Sequence, residues 1–179
     1  HVRSRRQRQM CIRDSYNTSG GFLHTPLEQL LVNAAASRER GIGGIKLKVG
    51  QPDHALDIRR VEAVRKHLGD EVPIMIDANQ QWDRPTAQRM CRVFERFNLV
   101  WIEEPLDAYD YEGHAALAAH FDTPIATGEM LTSAAEHGEL IRHRAADYLM
   151  PDAPRVGGIT PFLKIAAQAE QAGLSLGPH

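Results

Sequence analysis

Cysteine is scarce: the 179 residues contain two, Cys11 and Cys91, far apart and without metal-type spacing. Their rarity excludes a disulfide framework and a cysteine-ligated zinc site, and it suits a reducing, cytoplasmic setting. No apolar run approaches the roughly 18 to 20 residues of a membrane span, and no apolar core follows the N-terminus as it would in a secretory signal. Glycine-rich phosphate turns are also missing. Neither G-x-G-x-x-G nor a Walker sequence occurs, which argues against an open, nucleotide-binding sheet.

Positive charge is scarce beyond the first fifteen residues. Arg3, Arg5, Arg6, Arg8 and Arg13 against Asp14 make "HVRSRRQRQMCIRDS" strongly basic, so the remaining chain is acidic although the net charge is only -2. A basic arm suggests nucleic acid. This one has no apolar periodicity, joins abruptly to a differently composed chain, and contains "QMCIRDS", which resembles translated adapter sequence. Residues 1–15 are therefore expected to be a non-native or disordered extension, and residues 16–179 one catalytic domain.

With 42% hydrophobic residues the chain can bury one sizeable core. From about residue 44, short β-branched runs alternate with longer amphipathic stretches, as in parallel strands joined by helices. Strands are expected at 44–50, 72–79, 99–105, 123–130, 147–152 and 174–179, with an earlier one near "GGFLH" (20–24). Helices are expected near 25–40, 53–68, 84–97, 110–121, 133–144 and 159–172. Each strand closes on a polar residue: Lys48, Asp77, Glu103, Glu129, Asp152 and His179, at intervals of 23 to 29 residues. One β-strand, one helix and two loops take about that length, and ionisable groups at the carboxyl ends of such strands line a barrel mouth. About seven units fit a partial (β/α)₈ TIM barrel of the α/β class that lacks its last strand.

Asp77, Glu103 and Glu129 end three consecutive strands and are expected to converge. Any one acid alone reads more simply as a helix cap or surface ion pair, but three at equal positions repel unless a cation sits among them. Carboxylate-only ligation favours Mg²⁺. Lys46 and Lys48 alternate on one strand, so they share a face, and neighbouring ammonium groups are expected to lower at least one pKa. Lys48, nearer the rim, is the candidate base; protective lysines on an edge strand are the plainer reading. Asp152 and His179 close adjacent strands, where the carboxylate would orient the imidazole as a second acid or base. The other histidines of the body fall in helices or loops. A lysine, a histidine and a cation between them suit removal of a proton alpha to a carboxylate through an enediolate. Reprotonation would give racemisation or epimerisation, and loss of a β-hydroxyl would give dehydration.

The motifs "KLK", "DAN", "EEP", "GE", "PDAPRVGGIT" and terminal "PH" resemble the mandelate racemase branch of the enolase superfamily over residues 20 to 179. The resemblance implies Mg²⁺ at Asp77, Glu103 and Glu129, acid/base roles for Lys48 and for His179 with Asp152, and substrate contacts from Lys46 and Asn79. Segments such as "GGFLHTPLEQ" and "TPIATGEMLTS" are similar to acid-sugar dehydratases that convert six-carbon diacids, galactarate or L-talarate, to keto-deoxy acids. It also implies a homo-oligomer, a small-molecule partner, and an N-terminal capping domain that is absent here. A racemase, epimerase or dehydratase for another sugar acid is the alternative. Without an eighth strand the sheet has two unpaired edges, so poor solubility and weak Mg²⁺ retention are expected of these 179 residues alone.

Overall fold

A computed structural model describes residues 16–18 and 21–179. The arginine-rich segment, and with it the expectations for residues 1–15, lies outside them. Among the described residues, seven strands form one parallel sheet in sequential order. They are β1 (Tyr16–Asn17), β2 (Gly44–Lys48), β3 (Ile74–Asp77), β4 (Ile102–Glu103), β5 (Ile125–Thr127), β6 (Tyr148–Leu149) and β7 (Ser175–Leu176). Six helices alternate with them: α1 (Leu27–Glu39), α2 (His54–Leu68), α3 (Arg84–Phe94), α4 (Tyr111–His120), α5 (Ala134–His143) and α6 (Ile159–Ala172). The sheet curls into a partial (β/α)₈ barrel.

Four of the six helices start where the sequence provides a side-chain cap. Asp53 accepts from the backbone N–H groups of Ala55 and Leu56, Asp83 from Thr86, Asp110 from Gly113 and Ser133 from Glu136. Each satisfies amides that the first turn cannot pair internally. Alternation along the strands then sorts the side chains. Ile45, Leu47, Ile74, Ile76, Ile102 and Ile125 face the helices in the main core, whereas Met75, Trp101, Ala126 and Met150 pack on the inner face of the curl with Tyr16 and Tyr148.

The first strand differs from expectation. It is Tyr16–Asn17, paired with Gly44 and Ile45, while residues 21–24 turn across the end of β2. The Gly21 carbonyl accepts from Lys48 N at 2.7 Å, and a Cβ at Gly21 would stand 2.5 Å from the Lys46 oxygen. Arg60 holds the turn by donating to the Phe22 and Thr25 carbonyls. Backbone groups that a strand would have paired are thus taken by a guanidinium.

Register decides where the site lies. Lys48 is level with Asp77, Asp77 with Glu103, and Glu103 with Ala126. Three ionisable side chains therefore stand side by side at the carboxyl end of the sheet, and Glu129 joins them from just beyond β5.

Candidate metal and acid/base site

Ligand oxygens of Asp77, Glu103 and Glu129 all lie within 4.8 Å of one another. The first two residues are fully buried and Glu129 is 8% exposed. Gly128, at φ +130°, is what lets the chain deliver Glu129: the backbone departs from the strand in a conformation that side-chain-bearing residues rarely adopt. Glu129 Oε2 is buried and accepts no hydrogen bond, although His179 Nε2 lies 3.0 Å from it. A buried carboxyl oxygen without a donor, beside two further carboxyl groups, is a donor set that a hard divalent cation fits.

Two lysines reach the cluster from β2. Lys46 Nζ donates to Glu103 Oε1 and lies 3.3 Å from Asp77 Oδ2; Lys48 Nζ donates to Asp77 Oδ2. The expectation that the ammonium groups depress one another does not hold at Lys46. Burial favours its neutral form, but the charges of Glu103 and Asp77 outweigh burial and raise its pKa. Carboxylates at contact distance govern it more than the second ammonium does. Burial and the Asp77 charge meanwhile push Glu103 up, against the lowering effect of Lys46 and Trp101.

On the other flank, His179 Nδ1 lies 3.1 Å from Asp152 Oδ2. The Arg155 backbone N–H, donating to Asp152 Oδ1 at 2.7 Å, and next the His179 contact keep the Asp152 carboxyl below its ordinary range. An ionised Asp152 can only accept, so Nδ1 carries the hydrogen and Nε2 faces Glu129. His179 is exposed, and its backbone N–H is tied to the Pro151 carbonyl. Asn79 sits at φ +43°, and its backbone N–H donates to Asp77 Oδ1 at 2.9 Å. All eight residues singled out in the sequence thus border one rim, with Lys48 at the Asp77 end and His179 at the Glu129 end.

Two participants were not singled out. Trp101 Nε1 donates to Glu103 Oε2 at 3.0 Å; its place two residues before Glu103, on the same strand face, was a signal available from alternation. Glu104 is fully buried at φ +38°, its Oε2 accepting from Gln80 Nε2 at 3.0 Å while its Oε1 has no partner. Burial, and then the charge of Glu129, push its pKa up to about 8. Burial thus favours the neutral acid at the second glutamate of "EEP" in the metal-free protein, which lowers the cost of burying it.

Residues 29–179 match the family described as enolase C-terminal domain-like. The L-talarate/galactarate dehydratase of Salmonella typhimurium strain LT2 is 70% identical over 164 residues, 92% of this chain and 41% of that protein. A crystal structure of L-talarate dehydratase from Polaromonas sp. JS666, complexed with Mg and L-glucarate, superposes with a TM-score of 0.90 at 85% identity, covering 93% of this chain and 48% of that one. The 3,6-anhydro-alpha-L-galactonate cycloisomerase of Streptomyces coelicolor is 38% identical over 90% of this chain and 45% of its own length. The chain thus spans less than half the length of each of these relatives.

Proposed function

The chain belongs to the enolase C-terminal domain-like family, and from that premise we propose that the whole protein is a Mg²⁺-dependent dehydratase of a six-carbon sugar diacid, galactarate or L-talarate. The observation that carries this reading is the cluster of Asp77, Glu103 and Glu129, with Lys48 against one end and the His179–Asp152 pair against the other. Identity of 70% and 85% to dehydratases of these acids supports the substrate class.

Asp77, Glu103 and Glu129 would hold the cation, which when bound supplies positive charge to offset the negative charge growing on the substrate carboxylate as its α-proton leaves. Lys46 and Asn79 would steady that carboxylate or the neighbouring hydroxyl. Lys48 Nζ and His179 Nε2 serve as the acid/base pair: one takes the α-proton, and the other gives the proton with which the β-hydroxyl departs as water. Asp152 keeps the imidazole in the tautomer that leaves Nε2 free for this exchange. A cytoplasmic setting and homo-oligomeric assembly belong to the same reading. The first is supported by Cys91, a free and buried thiol whose pKa burial pushes up to about 12. No helix among the described residues is long and apolar enough to cross a membrane.

Racemisation or epimerisation is the second reading, because two acid/base groups border the cluster from opposite ends, Lys48 on β2 and His179 past the end of β7. Incubating the whole protein with Mg²⁺ and a panel of aldarates and aldonates separates the two. Keto acid trapped by semicarbazide from galactarate or L-talarate is the expected outcome. Turnover of gluconate alone, or exchange of the α-proton for deuterium with no keto acid, would overturn the dehydratase assignment.

A further inference from the structure

Lys46 alone does not fix the orientation of Glu103. The terminal torsion of a glutamate is broad, so a carboxylate held at one oxygen can still rotate. Lys46 holds Oε1 while also reaching Asp77, and the indole of Trp101 holds Oε2. That indole is itself immobilised. Trp101 is 6% exposed, stands edge-on to Tyr16 with ring centroids 5.3 Å apart, and packs against Tyr148 at 5.1 Å. Met75, Ala126 and Met150 complete its surroundings on the inner face of the curl.

We propose that Trp101 is a positioning residue: its N–H fixes the plane of the Glu103 carboxylate so that the remaining lone pairs face Asp77 and Glu129, where the cation binds. The inference rests on the assignment of these three acids as the Mg²⁺ site. A neutral donor suits this task better than a second ammonium would. It orients the oxygen without adding positive charge that competes with the incoming ion, and each carboxylate oxygen keeps a further lone pair for coordination. Partners that hydrogen-bond to metal ligands in this way typically support about 10- to 100-fold in metal affinity.

The sequence supplies its own control, because it contains only two tryptophans. Trp82 packs against Phe94 on the helix-facing side of the sheet, in the main core and not among the inner-face residues. A W82F variant removes the other indole of these residues, so an emission change kept in W82F and lost in W101F belongs to Trp101. In the whole protein, Mg²⁺ is titrated by calorimetry into wild type, W82F and W101F, emission is followed in both variants, and melting is recorded in EDTA. The expected result is wild-type affinity in W82F with an emission change that saturates at the calorimetric midpoint and is lost in W101F, whose affinity is weakened about 10- to 100-fold. Affinity of folded W101F within about threefold of wild type would overturn the proposal, the indole being worth then far less than such partners supply. An unchanged W82F spectrum at saturating Mg²⁺ would overturn it as well, whether or not W101F folds. Wild type that binds no Mg²⁺ would overturn the metal-site assignment and this proposal together, which distinguishes the two failures.

Discussion

At the scale of single residues, the site is a set of acids that cannot all be ionised without help. Glu104 shows this through pH. Its pKa stands at about 8 in the folded, metal-free protein, against an ordinary value near 4.3 once unfolded. Between these values the folded state binds the extra proton, so stability is greatest at low pH and declines as pH rises toward 8. Urea unfolding in EDTA at pH 5.5 and pH 8 should show a loss on the order of 1 kcal/mol or more, with Glu104→Gln flattening the dependence. A stability that climbs over this range would count against a protonated Glu104. Lys48 leads to a second expectation. Lys48→Met should lower turnover by about 10²- to 10⁴-fold, the usual contribution of a general acid or base. Magnesium affinity should stay near wild type, because the ligands remain and one ammonium against Asp77 is gone. Calorimetry beside steady-state kinetics separates the two effects.

At the scale of elements, the end of β5 and the base of the barrel matter most. A Cβ at Gly128 would meet His137 Nε2 at 3.1 Å and the Met150 amide at 3.3 Å, on a backbone already at φ +130°. Gly128→Ala should displace the turn that delivers Glu129 and weaken Mg²⁺ binding by about tenfold or more, since a strain of roughly 1 to 3 kcal/mol must be relieved somewhere; calorimetry would read it. At the opposite end, buried Arg65 donates to the carbonyls of Phe97, Gly69, Asp70, Val72 and Asn98, joining α2 to the segments that lead into β3 and β4. Arg65→Met leaves those carbonyls without their donor. A loss of about 3 kcal/mol is expected, seen as a lower urea midpoint with an unchanged slope. The helices were legible in sequence because caps such as Asp53 and Ser133 coincide with the onset of their apolar spacing. The strands were legible as β-branched runs closed by an ionisable residue, since Ile45, Ile76 and Ile102 must face helices while Lys48, Asp77 and Glu103 cannot. The first strand was not, because "GGFLH" looks apolar and extended while Arg60 and the close approach of Gly21 to β2 bend it into a turn. The raised pKa of Lys46 was hidden for a similar reason: it depends on which residues from other strands touch it, and local spacing carries only the neighbouring lysine.

At the scale of the whole molecule, the curl stays open among the described residues. β1 and β7 are its edges, and the inner face holds a cavity of about 1060 Å³ bordered by Tyr16, Lys46, Met75, Trp101, Tyr148 and Ser175. In closed (β/α)₈ barrels that interior is filled by layers of side chains. Here the cavity lies open beside Tyr16, Trp101 and Tyr148, and β7 is paired with β6 on one side and with no strand on the other among the described residues. Apolar side chains are also uncovered on α6, where Ile159 and Leu163 are 67% and 60% exposed, and on α1, where Val32 is 60% exposed. Unpaired edges beside exposed apolar surface favour association with other chains. The 179-residue polypeptide is therefore expected to self-associate as its concentration rises, and to hold Mg²⁺ weakly, since His179 beside Glu129 lies only three residues past β7. Sedimentation velocity across a hundredfold concentration range tests the first point and calorimetry the second. A monomer throughout, melting cooperatively with a large Mg²⁺-dependent gain in melting temperature, would show that the seven strands hold the rim together by themselves.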